Sequence, residues 1–188
     1  MTRATQRRMT VPRNAQAVQQ MVCDTDSLLP CLFIPQGTKL YDAKRTTGDN
    51  GTVGARYECA RLRLNSKRES VYSFQVEAVE DNKLIVLQTR LQMMLGGTGT
   101  LVEDKEQQSV RHTLEWVSDT QNKNTVVTWT EELLWNIDYV EKALLLVMTM
   151  GCVSCVWAYD KFVLDERYAR MVLYLNEGQK LPLSRTRV

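Results

Sequence analysis

The chain's single histidine, His112, lies in the stretch VRHTLEW at 110–116. Imidazole is the side chain best suited to moving a proton near neutral pH. In a strand, alternation sets Val110, His112, Leu114 and Trp116 on one side. The next apolar stretch, TVVTWTEELLW at 125–135, alternates Val127, Trp129 and Glu131. That phase sets a carboxylate beside the tryptophans. An imidazole and a carboxylate on apolar faces are the two halves of an acid–base pair. Blander readings stand beside this one. A lone inward histidine is commonly a hydrogen-bonded core residue. Glu132 faces inward instead of Glu131 if the phase slips by one, or both sit at the strand's solvated end. Tryptophans fill cores by default. Arg61 shares the phase of Tyr57 and Cys59, so it either pairs with Glu131 or sits at a solvated rim.

Other chemistry is thin. The chain has five cysteines, Cys23, Cys31, Cys59, Cys152 and Cys155. Cys152 and Cys155 form a C-x-x-C without a second cysteine pair, whereas a structural zinc site wants four ligands at fixed spacing. On an apolar helix they pack as small hydrophobes. The run GGTGT lacks the Gly-Lys-Ser/Thr of a phosphate loop, and no nucleophile elbow or H-E-x-x-H is present. No metal or cofactor is expected.

The elements that must position these residues follow from the bulk and the order. A chain of 188 residues suits one domain spanning 1–188, and a net charge of +2 argues against a nucleic-acid partner. An odd, scattered set of cysteines favours reduced thiols in an intracellular, cytoplasmic setting. The start MTRATQRRMTVPRN carries Arg3, Arg7, Arg8 and Arg13 with no acid before Asp24. It reads either as an organelle import leader or as a first strand that stops at Pro12. The segment ALLLVMTMGCVSCVWAY at 143–159 has no charge. It is at the lower limit for a membrane span, roughly 17–25 residues. A membrane contact and a buried helix both explain it.

Residues 3–11 read as a strand. Asn14 is an N-cap for AQAVQQMV, and SLLPCL makes a short second helix or bend. GTKLYDAKRTT (37–47) is a strand, and Gly48-Asp49-Asn50-Gly51 a turn. Strands follow at 52–64, 70–79, 83–95, 109–118 and 125–135, joined by polar turns, which implies an antiparallel meander. The third of these places Ile85, Leu87, Thr89, Leu91 and Met93 on one side. Residues 139–178 read as helix, too long to run unbroken in so small a domain. A break is expected near Gly151 or Asp165, with the last helix at about 157–177.

This order resembles the START-like (SRPBCC) superfamily with its helix-grip fold, most of all the branch of polyketide cyclases and dehydrases. The resemblance rests on TVPRNAQAVQQMVCDTDSLLP, where a strand leads into two short helices. It rests also on GDNGTVGARYECARL, a step into the next strand, and on HTLEWVSDTQNKNTVVTWTEEL, similar to the final hairpin. AYDKFVLDERYARMVLYLNEG is similar to the closing helix. The stretch 88–109 departs from the pattern by its length. The resemblance implies an α+β fold: a curved antiparallel sheet of six to seven strands wrapped around a long C-terminal helix, with two short helices after strand one.

In such a fold the sheet and the helix enclose a cavity lined by inward-alternating residues. Here these are Tyr57, Arg61, Tyr72, Phe74, Thr89, Leu91, Met93, His112, Leu114, Trp116, Trp129 and Glu131. The expected partner is a hydrophobic small molecule such as a lipid, an isoprenoid or a polyketide-like compound. One alternative is a cyclase- or dehydratase-like enzyme that uses His112 and Glu131 as acid and base. Another is an interaction scaffold with peripheral membrane contact through 143–159. The fold alone does not choose, because it hosts binders, transfer proteins and enzymes.

Overall fold

The period-two stretches become strands, and the strands form one antiparallel sheet. The computed structural model describes residues 3–33, 41–62, 68–94, 100–103, 109–119, 123–134 and 153–178. In chain order they are β1 (Arg3–Val11), α1 (Ala15–Cys23), α2 (Thr25–Phe33), β2 (Tyr41–Thr47), β3 (Arg56–Leu62), β4 (Arg68–Glu80), β5 (Lys83–Met94), β6 (Leu101–Glu103), β7 (Ser109–Asp119), β8 (Asn124–Leu133) and α3 (Val153–Glu177). The strands are ordered β1-β8-β7-β5-β4-β3-β2, and short β6 pairs only with β5. The expected count of six to seven thus describes the main path, with β6 added from the long stretch 88–109.

One face of the sheet is covered. Met9 and Val11 of β1, Leu114 and Trp116 of β7, Val127 and Trp129 of β8 and Leu84 and Val86 of β5 are buried there. Asn14 caps α1 by accepting from the Ala17 backbone N–H at 2.8 Å. Val18 and Val22 then turn inward, and α1 lies over β7 and β8. Leu28, Leu29, Cys31 and Leu32 bury α2, which packs on α3. Met171, Tyr174 and Leu175 close the core from α3.

Polar groups fix α3 along its length. Arg13 donates to the carbonyls of Leu175 and Asn176, both at 2.9 Å. These are among the last carbonyls of the helix, which have no partner within it, and a cation there also matches the helix dipole. Tyr174 donates to the Met21 carbonyl at 2.8 Å and Tyr168 to that of Arg8 at 2.7 Å.

The expected break at Asp165 is not there: α3 runs unbroken from Val153 to Glu177 and starts earlier than 157. Asp165 is instead paired across to the sheet, its Oδ1 2.5 Å from Arg7 on β1. Gly151 lies outside the described residues. So does most of the apolar stretch 143–159. Among the described residues no helix is long and apolar enough to cross a membrane.

The Gly48–Gly51 turn does more than reverse the chain. Asn50 Oδ1 accepts from the Asp26 backbone N–H at 3.0 Å and from Thr25 Oγ1 at 2.9 Å, while its Nδ2 donates to Asp24 at 2.8 Å. The turn therefore caps α2. Gly51 has φ +72°, and a Cβ there would stand 2.1 Å from the Cys23 carbonyl oxygen. Gly54 has φ +86° but open space around it. Gly54→Ala is expected to cost about 1 kcal/mol, the left-handed strain alone. Gly51→Ala should exceed it by at least about 1 kcal/mol, because a backbone must also move. Denaturant unfolding of both variants measures the difference; equal losses would refute the close approach.

Candidate functional site

The register of the covered face divides it into two ends. At the end beneath α1 and α2, Tyr57, Phe74, Leu114 and Trp116 are fully buried among core side chains. Thr25 Oγ1 spends its proton on Asn50, so the Tyr57 hydroxyl, 2.5 Å away, donates to it. Burial raises the Tyr57 pKa, which keeps the phenol neutral. This end is packed solid and held by the turn.

The other end is polar. His112 pairs across the β7–β8 ladder with Glu131, and Leu114 with Trp129. Pairs directly opposite share a face, so His112 and Glu131 meet. His112 Nδ1 lies 3.3 Å from Glu131 Oε1, near enough for charge but off the line of a hydrogen bond. Its Nε2 lies 2.9 Å from Gln88 Oε1 of β5. Arg167 reaches down from α3 and donates to the same Glu131 Oε1 at 3.3 Å. A row Gln88–His112–Glu131–Arg167 thus crosses an otherwise apolar interior. His112 has no exposed surface. Its ring lies 6.1 Å from that of Trp129.

Burial by itself would push the Glu131 carboxyl up. The His112 ring and the Arg167 guanidinium outweigh it, and the pKa falls below its ordinary 4.5. Glu131 therefore stays ionised in a nearly closed site. Its neighbour Glu132 points to the opposite face, 3.6 Å from Arg111, which also donates to Glu77 at 2.9 Å. The phase that put Glu131 inward is the observed one.

Beside Glu131 is a recess of about 10 Å³ lined by Thr5, Arg7, Trp129 and Glu131. Two of these residues carry buried donors without a hydrogen-bond partner, Arg7 Nε and Trp129 Nε1, and Arg167, bonded to Glu131, carries another at Nε. The Arg7 guanidinium stacks on the Tyr168 ring at 5.4 Å.

The sequence-derived residues separate accordingly. His112, Trp129 and Glu131 come together at the polar end. By register, Tyr72 lies opposite Cys59 and Arg61 opposite Ser70, on the same face. Arg61 is not paired with Glu131, whose contacts are His112 and Arg167, and Arg61 Nε is itself buried without a partner. Tyr57, Phe74, Leu114 and Trp116 belong to the solid end. The β5 phase is corrected. Leu87 lies opposite Arg111 and Thr89 opposite Ser109, so Thr89 is on the other face, with its hydroxyl 3.1 Å from that of Ser109. Leu91 falls at the shift in β4–β5 pairing between Val71 and Tyr72, half-buried. Met93 lies beyond that shift, and its side chain is outside the described residues. The cause is the run Leu84-Ile85-Val86-Leu87, apolar in both phases, which carries no alternation to read. Leu84, Val86 and Gln88 are the inward row.

Two of the described thiols, Cys31 and Cys59, are buried. Burial pushes Cys31 and Cys59 up to about 12, which keeps them protonated and unreactive. The Cys152–Cys155 pair falls outside the described side chains. Among the described residues no cluster could hold a metal ion.

Glu131→Gln keeps the shape and removes the charge. At pH 7 it should lower stability by about 2 kcal/mol, since Arg167 is left half-paired. Because the folded carboxyl titrates below the unfolded one, its contribution is full above about 4.5 and fades as pH falls through the lowered value. The gap between variant and parent should therefore close in acid. Urea melts at pH 7 and pH 3 test this; a gap that is constant with pH would refute it.

No protein-family model matches this sequence, and no curated protein matches it in sequence. Solved structures do match. A protein of Arthrobacter aurescens, solved in solution, is 14% identical over 93% of this chain and 86% of its own, with a TM-score of 0.56. One of Nitrosospira multiformis is 13% identical over 94% and 98%, TM-score 0.53. One of Chromobacterium violaceum is 8% identical over 92% and 96%, TM-score 0.53. At such identities the likeness is one of fold. It agrees with the order found here: a strand, two short helices, a broad antiparallel sheet and a long closing helix. The chain has a helix-grip fold.

Proposed function

We propose that this chain binds a small hydrophobic molecule carrying a polar group, held between the covered face of the sheet and α3. One observation carries the reading. A row of four polar side chains, Gln88, His112, Glu131 and Arg167, is buried in an apolar interior next to an unfilled recess. For stability alone, packed apolar residues would do as well or better than a buried ion pair. A polar group on a ligand gives such a row a use. In this reading Trp129, Glu131, Tyr72 and Arg61 face the ligand. Tyr57, Phe74, Leu114 and Trp116 form the rigid floor beside it. Lipid, isoprenoid and polyketide-like ligands all fit an apolar body with one polar end.

An acid–base enzyme is the second reading, favoured by the 3.3 Å approach of His112 to Glu131. It ranks lower for a geometric reason. Catalysis by imidazole needs a ring nitrogen within reach of the substrate. Here one nitrogen faces Gln88, the other faces Glu131, and the ring is fully buried. His112 is better placed to orient Glu131 than to touch a substrate.

Native mass spectrometry of the purified chain, followed by denaturing extraction, is expected to show a co-purified small apolar molecule. A bare mass that also takes up no member of an added panel of lipids, isoprenoids and aromatic polyketides would overturn the reading.

A further inference from the structure

The recess beside Glu131 has a volume of about 10 Å³, room for one water or one ligand oxygen. Two of its lining residues carry buried N–H groups without a partner, Arg7 Nε and Trp129 Nε1. Arg167, bonded to the same carboxylate, carries a third. Native interiors leave few such donors unpaired. Two of them on the lining of one small space call for an oxygen acceptor in it.

Charge decides which kind of oxygen. Arg7 is paired with Asp165, and Arg167 with Glu131. The two cations are thus already balanced by two carboxylates. A ligand carboxylate would meet Glu131 across a space one atom wide, where two carboxylates do not both stay ionised. An ether or ketone oxygen would satisfy the N–H groups but offer Glu131 nothing. A hydroxyl does both, because it accepts through its lone pairs and donates through its proton.

We infer that the recess seats the hydroxyl of an otherwise apolar ligand, an alcohol or a phenol. The hydroxyl accepts from both Arg7 Nε and Trp129 Nε1 and donates to Glu131. This deepens the binding reading above and rests on it.

The test is calorimetric titration of the full chain with three probes of one size: 1-octanol, 1-methoxyheptane and octanoate. Octanol is expected to bind about tenfold more tightly than the ether, the worth of a hydrogen bond to a charged acceptor, and octanoate most weakly. Glu131→Gln removes the local negative charge. It should weaken octanol and strengthen octanoate by about tenfold, reversing their order. Trp129→Phe deletes one N–H and keeps an aromatic ring; it should weaken octanol about threefold.

Equal affinity for octanol and the ether would overturn the hydroxyl assignment and leave the binding reading standing. So would octanoate binding best to the unaltered chain, or unchanged probe order in Glu131→Gln. If that variant fails to fold, unchanged octanol affinity in Trp129→Phe overturns the assignment instead. Failure of all three probes to bind would overturn both.

Discussion

A carboxylate buried in an apolar interior must be paired or give up its charge. Glu131 is paired twice, through one oxygen, with His112 and Arg167. Much of the architecture is constrained by that atom. His112 reaches it only if β7 and β8 keep their register. A slip of one residue would bring Glu132 inward and turn Trp129 out. Arg167 reaches it only if α3 presents the right side to the sheet. Arg7–Asp165 and the tyrosine bonds to Arg8 and Met21 hold that side in place. The polar row is therefore also a register device: it ties a hairpin to a helix that follows it much later in the chain.

The two ends of the covered face use polar groups differently. Beneath α1 and α2, each has a local task. Asn50 caps α2, Thr25 joins the turn to Tyr57, and Arg13 closes α3. Those groups are satisfied, although Trp116 Nε1 and Asp26 Oδ1 are buried at this end without a partner. At the far end the groups are buried but incompletely satisfied, and a space lies among them. Stability explains the first arrangement. It does not explain the second, because unpaired buried donors cost free energy.

What was legible in the sequence follows from which signals are local. β7 and β8 alternate cleanly, so their inward rows could be read, and with them His112, Trp129 and Glu131, whereas β4 shifts its phase between Val76 and Ala78. β5 could not be phased, because Leu84 to Leu87 are apolar without interruption. Its register comes from neighbours, through Val86 opposite His112 and Gln88 beside it. Gln88 escaped notice because a lone amide in a strand makes no pattern. Arg167 was hidden among the charges of DERYAR, where helical spacing alone does not tell which of them meets the sheet. Arg7 was conspicuous for its arginine neighbours, but its partner Asp165 lies far along the chain. Pairings at such separation are products of the fold and leave no trace in one sequence.

The lone histidine is placed unlike a side chain open to a substrate. Its burial is complete, and both nitrogens face groups of the chain itself. That is the setting of a residue that orients another. Gln88 steadies the ring, the ring and Arg167 share one oxygen of Glu131, and Glu131 lines the recess. The carboxylate is held ionised on the lining of the recess. Imidazole suits this because it offers two polar atoms on opposite sides of a flat, largely apolar body. It bridges two strands across the core, from Gln88 of β5 to Glu131 of β8.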